Sequence, residues 1–221
     1  MLAGSYSFED TDKASSEAQW GLLLARGNVS TDESRGNRIY WREAYVIPWI
    51  HFEKQHESFT GLVGSGGSGV RMKDGTLVLP VEGTKKKKDG DTEEEGKTVS
   101  LILYSKDAAG GNLSKGMSAD GCSVPSVVEW KDKLMMMTAC DDGRRRVYES
   151  DDKGDSWTEA LGTLSRVWSN KHEGNVKVVG SGFSTATIED NREVMLVTLP
   201  VYAKTESEEK EEKGVLHLWL T

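Results

Sequence analysis

Short stretches of alternating or continuous apolar residues run along the chain, and this pattern predicts β-strands. Each stretch is rich in β-branched or aromatic residues and is bounded by Gly, Asp, Asn or Lys. The stretches follow one another at roughly the 8–12 residue spacing typical of all-β sandwiches, barrels and propellers, and they number roughly a dozen. The predicted strands are Thr76–Val81, Val99–Tyr104, Val127–Trp130, Leu134–Thr138, Arg146–Tyr148, Phe183–Ile188, Val194–Thr198 and Val215–Leu220, with two or three more within Trp20–Arg26 and Arg38–Trp49.

The pattern leaves little room for helices. Ser15–Ala25 is the one stretch with a case for a helix, and Gly21 within it and Asn28 beyond it weaken that case. The three consecutive methionines Met135–Met137 are interpreted as the centre of a buried strand instead of a metal site, because successive strand residues face opposite sides. The sequence therefore predicts an all-β fold.

Composition narrows the class of protein. The chain has 221 residues, 36% of them hydrophobic, and a formal charge of −8 from 28 basic and 36 acidic side chains. An acidic chain is a poor candidate for binding nucleic acid or an anionic membrane. No apolar run reaches the roughly 18–20 residues of a membrane span. The first residues, Met1–Asp10, lack the basic and apolar regions of a secretory signal.

Much of the charge lies in two segments without an apolar stripe. Lys85–Lys97 carries five lysines and five acids, and Thr205–Lys213 carries five glutamates and two lysines. Both are predicted to be solvated loops between strands. The alternative for the first segment, a basic tract that recruits an anionic partner, is weakened by the acids that follow the lysines directly.

Several motifs are accidental matches. Gly64–Gly69 satisfies G-x-G-x-x-G, but the sequence continues into another strand, so the helix that a dinucleotide site needs is missing. These glycines instead indicate a tight bend or a close approach of backbones. The four histidines form no metal-binding pattern, and no G-x-S-x-G elbow occurs. The sequence predicts no metal site and no cofactor.

The cysteines and the sequons leave alternatives open. Cys122 and Cys140 could meet across neighbouring strands or could both be buried thiols. Asn28 and Asn112 each begin an N-x-S sequon and are candidate glycosylation sites, although a single sequon is common by chance.

One motif is specific. Ser150, Asp152, Gly154, Ser156 and Trp157 fit S-x-D-x-G-x-[ST]-W, the Asp box of sialidase-type β-propellers. Its chemistry is structural: the Ser and Asp side chains bond backbone amides in a hairpin turn, and the Gly takes a conformation that a Cβ would obstruct. The Trp fills the gap below the turn.

With the Asp box in place, the chain resembles the trypanosome sialidase/trans-sialidase superfamily. The resemblance implies a six-bladed propeller that carries the sialic-acid site, followed by a lectin-like β-sandwich. At about four strands per blade, residues 1–221 are expected to be one incomplete propeller domain of about three blades, with the lectin-like domain absent. An eroded second Asp box is expected at residues 105–112. The matching stretches are Gly64–Val81, Gly121–Ser150, Glu159–Trp168 and Leu216–Thr221.

The resemblance also implies what the site has lost. Family enzymes hold the sugar carboxylate with three arginines and use a Tyr nucleophile paired with a Glu, together with an Asp as acid/base. Val124 stands where the Glu is expected, Ala139 stands where the second arginine is expected, and Lys213 is the nearest cation to the third. The first arginine, the Asp and the Tyr have no counterpart. Arg144–Arg146 are not expected to replace the triad, because adjacent strand residues point to opposite faces.

No catalytic residue is therefore expected. The resemblance implies a non-catalytic surface protein or a fragment of one, a module for adhesion that binds glycans or host ligands. The alternative is an exo-α-sialidase or trans-sialidase that hydrolyses or transfers terminal sialic acid. The implied partners are host-cell or extracellular-matrix glycoproteins, and the implied location is the cell surface or extracellular space. Signal and anchor segments are absent from the 221 residues.

Overall fold

The computed structural model describes residues 1–8, 19–32, 36–48, 50–53, 57–87, 96–106, 111–160, 181–202 and 214–220. These residues form fifteen strands in four antiparallel sheets, one short helix, α1 (Ile50–Glu53), and a 3-10 turn at Glu189–Asn191. The all-β prediction is confirmed. The part of Ser15–Ala25 that is described belongs to a strand, not to a helix.

Sheets 1, 3 and 4 are meanders of consecutive strands, and in sheet 2 both β4 and β5 pair with β6. Sheet 1 contains β1 (Leu2–Phe8), β2 (Gln19–Asp32) and β3 (Gly36–Pro48). Sheet 2 contains β4 (Phe59–Gly64), β5 (Val70–Arg71), β6 (Leu77–Lys85), β7 (Thr98–Ser105) and β8 (Asn112–Leu113). Sheet 3 contains β9 (Cys122–Trp130), β10 (Lys133–Cys140), β11 (Arg145–Ser150) and β12 (Thr158–Glu159). Sheet 4 contains β13 (Gly182–Ile188), β14 (Arg192–Tyr202) and β15 (Gly214–Leu220).

This arrangement is that of an incomplete β-propeller. Sheet 3 runs in the order β9-β10-β11-β12, and sheet 2 runs β4-β6-β7-β8 with β5 paired to the other end of β6. A four-stranded meander is the repeating blade of propellers. Two such sheets lie between two sheets that have three strands each in the described part of the chain. The sequence analysis predicted no strand at β1, β4, β5, β8 or β12. Three of these, β5, β8 and β12, have only two residues, which are too few to show a pattern.

The core consists of three apolar layers, one between each pair of successive sheets. Sheet 3 is buried on both faces, and its three methionines divide between them. Met136 joins the layer facing sheet 2, where it packs with Val78 and Ile102. Met135 and Met137 join the layer facing sheet 4. This alternation confirms that Met135–Met137 is the centre of a buried strand, and it explains why β10 reads as a continuous apolar run.

The Gly64–Gly69 segment connects β4 to β5 and begins no helix. Ser65 Oγ donates a hydrogen bond to the Pro125 carbonyl at 2.9 Å. A Cβ on Gly67 would lie 1.8 Å from the same carbonyl oxygen. The glycine therefore permits a close approach of two backbones, one from sheet 2 and one from sheet 3.

The two charged segments are only partly within the described residues. Lys85 ends β6 and Gly96 precedes β7, so the first segment connects two paired strands. Residues 88–95 within it and 205–213, the whole second segment, lie outside the described residues. No helix in the described part of the chain is long and apolar enough to cross a membrane.

Candidate functional site

The Asp-box turn joins β11 to β12 at the edge of sheet 3 farthest from β9. The Gly154 N–H donates to Ser150 Oγ at 2.8 Å, and Ser150 Oγ donates to Asp152 Oδ1 at 2.7 Å. Asp152 also accepts hydrogen bonds from the Ser156 N–H at 2.9 Å and from Ser156 Oγ at 2.6 Å. These bonds lower the pKa of Asp152 to about 2, and the hydrogen bond from the Ser156 hydroxyl has the largest effect. The carboxylate is therefore engaged entirely within its own turn.

Gly154 sits in the left-handed region with φ +88°. A Cβ there would lie 2.8 Å from Ile102 Cδ1 and 3.0 Å from the Ser114 Cβ, so both the backbone and the packing require glycine. Trp157 is half-buried and packs against the apolar layer between sheets 2 and 3. The turn thus connects the outer edge of sheet 3 to sheet 2.

The second Asp box, expected at residues 105–112, lies only partly within the described residues. Ser105 ends β7 and Asn112 begins β8, while residues 107–110 lie outside the described residues. Ser114 takes the role of a structural hydroxyl on this side: its Oγ accepts from the Ile102 N–H at 3.2 Å and donates to the Gly116 carbonyl at 2.8 Å.

The two sequons differ in their surroundings. Asn112 is exposed, but the Ser114 of its sequon is fully buried. Asn28 is exposed on β2, opposite Tyr40 of β3, and Ser30 of its sequon is partly exposed. Glycosylation at either asparagine stays a prediction.

Val124 and Ala139, the substituted positions, lie together at one end of sheet 3. Ser123 pairs with Ala139 across β9 and β10, and Val124 follows directly. Val124 has φ +50°, which is unusual for a β-branched residue and marks a break in the regular register of β9. Ala139 is buried, with 5% of its surface exposed. The sequence-derived site positions are therefore neighbours in space, and both present apolar side chains.

A carboxylate that the sequence analysis missed lies beside them. Glu82 of β6, in sheet 2, accepts a hydrogen bond from the Val124 N–H at 3.0 Å. Burial raises the pKa of Glu82, and the Val124 N–H only partly offsets this effect. The signal in the sequence is a single acid inside an apolar strand, Leu77–Lys85. The carboxyl group expected at position 124 is thus absent, but another reaches its backbone from the next sheet.

The side chains of Arg145 and Arg146 have different partners. Arg145 Nε donates to Ser181 Oγ at 3.3 Å, at the start of sheet 4. Arg146 instead pairs with Asp142 at 2.7 Å and with Glu159 at 3.8 Å. Adjacent strand residues face opposite sides, as expected. Lys213, the cation nearest to the third family arginine, lies outside the described residues.

Cys122 and Cys140 form a disulfide between β9 and β10, beside Val124 and Ala139. Of the two arrangements that the sequence left open, the structure shows the cross-strand pair. Ser100 Oγ donates to the Cys122 carbonyl at 3.0 Å, which connects the bridge to sheet 2. Among the described residues no group of His, Cys, Asp and Glu side chains could hold a metal ion.

Comparison with known proteins is consistent with this geometry. The chain is 36% identical over 227 residues to sialidase 85-1.1 of Trypanosoma cruzi, and it spans 29% of the length of that relative. It superimposes on Trypanosoma rangeli sialidase with a TM-score of 0.70 and 32% identity, over 92% of this chain and 31% of the sialidase. The T. rangeli sialidase in complex with sialic acid also gives a TM-score of 0.70, with 31% identity, over 100% of this chain and 34% of the other.

The whole chain, residues 1–221, matches the description "BNR repeat-like domain". The relatives are sialidases, and the fold of the chain superimposes on that of the T. rangeli enzyme. The resemblance to the trypanosome sialidase and trans-sialidase superfamily is confirmed, and the chain belongs to the family of BNR repeat-like domains.

Proposed function

We propose that the chain is a non-catalytic module that binds glycans or host ligands within a cell-surface adhesion protein. One observation carries the proposal: Val124 and Ala139 occupy the positions where the family resemblance implies a glutamate and an arginine. The two lie side by side at the end of β9 and β10. A valine cannot polarise a phenol, and an alanine cannot hold a carboxylate.

The energetic cost of the missing arginine supports the same conclusion. A charge-assisted hydrogen bond contributes roughly 1.5–3 kcal/mol, and an arginine that holds a carboxylate makes two of them. Losing the pair costs about 3–6 kcal/mol, or on the order of 10²–10⁴ in affinity for a carboxylate sugar. The scaffold, in contrast, is intact, because Ser150, Asp152 and Ser156 of the Asp-box turn are all hydrogen-bonded.

Location and partners follow from different observations. The Cys122–Cys140 disulfide suits an oxidising environment, such as the secretory route or the cell exterior. The exposed Asn28 sequon is compatible with the same route. We therefore propose a cell-surface or extracellular location. A structural neighbour is a sialidase in complex with sialic acid, so the proposed partners are host-cell or extracellular-matrix glycoproteins.

The alternative function is that of an exo-α-sialidase or trans-sialidase. It is favoured by the relatives, which are sialidases, and by Glu82, whose carboxylate contacts the backbone of position 124. In this alternative Glu82 would supply the carboxylate that position 124 lacks.

A fluorogenic sialoside assay on the 221-residue chain separates the two functions. We expect no fluorophore release above a protein-free blank, and the same result for Glu82→Gln. Release proportional to the wild-type protein and lost in Glu82→Gln would overturn the proposal in favour of a sialidase that uses this carboxylate.

A capture experiment tests the proposed binding function. We expect the immobilised chain to capture a glycoprotein of the extracellular matrix without altering the sialic-acid content of that glycoprotein. Asp151→Asn changes an exposed side chain within the Asp-box turn, is the surface control and should bind equally. Absence of capture across a panel of sialylated and desialylated glycoproteins would contradict an adhesion role.

A further inference from the structure

A groove with a cavity of about 590 Å³ lies between sheet 1 and sheet 2, away from Val124 and Ala139. Its floor is the face of sheet 2 that carries Leu79 and Leu103, and its wall is the face of sheet 1 that carries Leu24 and Ile47. The volume lies in the range of small-ligand sites, and the lining is mainly aliphatic, as in such sites.

The apolar wall continues outside the cavity. Val29, Ile39 and Trp41 line the groove and are 68%, 56% and 53% exposed. Val29 pairs directly with Ile39, and Trp41 pairs with Gly27, so the three side chains share one face of the β2–β3 hairpin. Leu77, on the sheet 2 side of the groove, adds another exposed apolar side chain. A contiguous exposed apolar surface of this kind indicates a binding site.

The lining of the groove offers few polar partners to a ligand. Strand β3 pairs with β2 along the whole wall, whereas β1 pairs with β2 only as far as Leu24. Leu79 and Leu103 face the groove from paired strands of sheet 2. A polar group buried among these aliphatic side chains would lose its hydrogen bonds to water without gaining others. We therefore expect the buried part of a ligand to be hydrocarbon.

The rim of the groove is cationic. Arg26, Arg71 and Lys106 line it, and no Asp or Glu does so among the described residues. Arg26 pairs with Glu43 at 3.6 Å, and both side chains are more than half exposed, so this ion pair is weak. Arg71 and Lys106 form no ion pair within the part of the chain that the structure describes. The uncompensated charge favours an anionic group at the mouth.

We propose that this groove binds a single-chain amphiphile with an anionic head group. The hydrocarbon chain lies between the two sheets, and the head group contacts Arg71 and Lys106. The site is independent of the proposed adhesion function, because it shares no residue with the Val124 and Ala139 end of sheet 3.

Decanoate is the probe, with decyltrimethylammonium as a ligand of equal chain length and opposite charge. Isothermal titration of the 221-residue chain below the micellar concentrations should show one saturable decanoate site and at least tenfold weaker binding of the cation. Arg71→Glu should weaken decanoate binding roughly 10–100-fold, the equivalent of one charge-assisted contact. Arg192→Glu reverses the charge of an exposed arginine on β14 and should leave binding unchanged.

Three results would overturn the proposal. Equal binding of both amphiphiles would show unspecific adsorption to apolar surface. Unchanged decanoate affinity in both Arg71→Glu and Lys106→Glu would show that neither side chain contacts the head group. Displacement of decanoate by an acidic, leucine-rich peptide at similar concentration would identify the groove as a peptide site. Arg71→Lys keeps the charge and should keep binding, which separates loss of the contact from loss of folding.

Discussion

At the scale of single residues, Ser150, Asp152 and Ser156 bond to groups within the Asp-box turn. Asp152 shows this most clearly, because its hydrogen bonds all lie within one turn. Its lowered pKa reports on a structural carboxylate and not on a catalytic one. A perturbed carboxyl is a functional candidate only where its partners leave it accessible to a substrate.

The pH dependence of Asp152 follows from this shift. A carboxyl whose pKa is lower in the folded state stabilises the fold above its unfolded pKa of about 3.9, and the contribution is lost as the pH falls towards about 2. We expect Asp152→Asn to unfold at lower urea than wild type at pH 7, with the difference shrinking by pH 2. Asp151→Asn should behave like wild type at both values. An equal difference at both pH values would contradict this role for Asp152.

Two neighbouring glycines offer a matched pair for the contact between sheets 2 and 3. A Cβ on Gly67 would lie 1.8 Å from the Pro125 carbonyl oxygen, whereas one on Gly66 would meet nothing within 4 Å. We expect Gly67→Ala to lower the free energy of unfolding by about 1–3 kcal/mol or more, because backbone must move. Gly66→Ala should be nearly neutral. Urea unfolding measures both, and equal stability of the two variants would place the close approach elsewhere.

At the scale of elements, three features stabilise sheet 3. It is packed on both faces, carries the Asp-box turn, and has the Cys122–Cys140 bridge across its first two strands. Its edge strand β9 contacts strands of both neighbouring sheets. The strand break at Val124 occurs where Glu82 of sheet 2 accepts the backbone N–H, so the irregularity is supported by a contact between sheets.

The disulfide is expected to stabilise this sheet. It closes a loop with a sequence separation of 18, and bridges of that kind contribute roughly 2–4 kcal/mol. Adding a phosphine reductant should lower the melting temperature of the wild-type chain. Cys122→Ala/Cys140→Ala should melt near the temperature of the reduced protein and show no response to the reductant. A reductant-insensitive wild type with two titratable thiols would contradict the bridge.

At the scale of the whole molecule, the sheets cover one another in sequence. Sheets 2 and 3 are covered on both faces, whereas sheet 4 buries the face that carries Val197 and Leu199. Leu216, Leu218 and Leu220 alternate along β15 and are 70%, 65% and 54% exposed. Exposed apolar strands promote association between chains.

We therefore expect the 221-residue chain to associate as its concentration rises, measured by size-exclusion chromatography with light scattering. Leu216→Lys/Leu218→Lys should shift the distribution towards the monomer, since it places charge on the exposed face. Thr185→Lys, an exposed position on β13, is the control and should not. A wild type that is monomeric at every concentration would show that this face does not drive association.

The fold class and the Asp-box turn could be predicted from the sequence, because strand periodicity and turn chemistry act over a few residues. Ser150 and Ser156 contact Asp152 from within the same short motif. The contact of Glu82 with Val124 could not be predicted in this way, because the two residues are 42 positions apart and meet only when sheets 2 and 3 pack together. The same holds for the Cys122–Cys140 pairing and for the cationic groove, whose walls come from separate sheets. Such contacts depend on how the sheets pack against one another, and a pattern within a few residues carries no information about this packing.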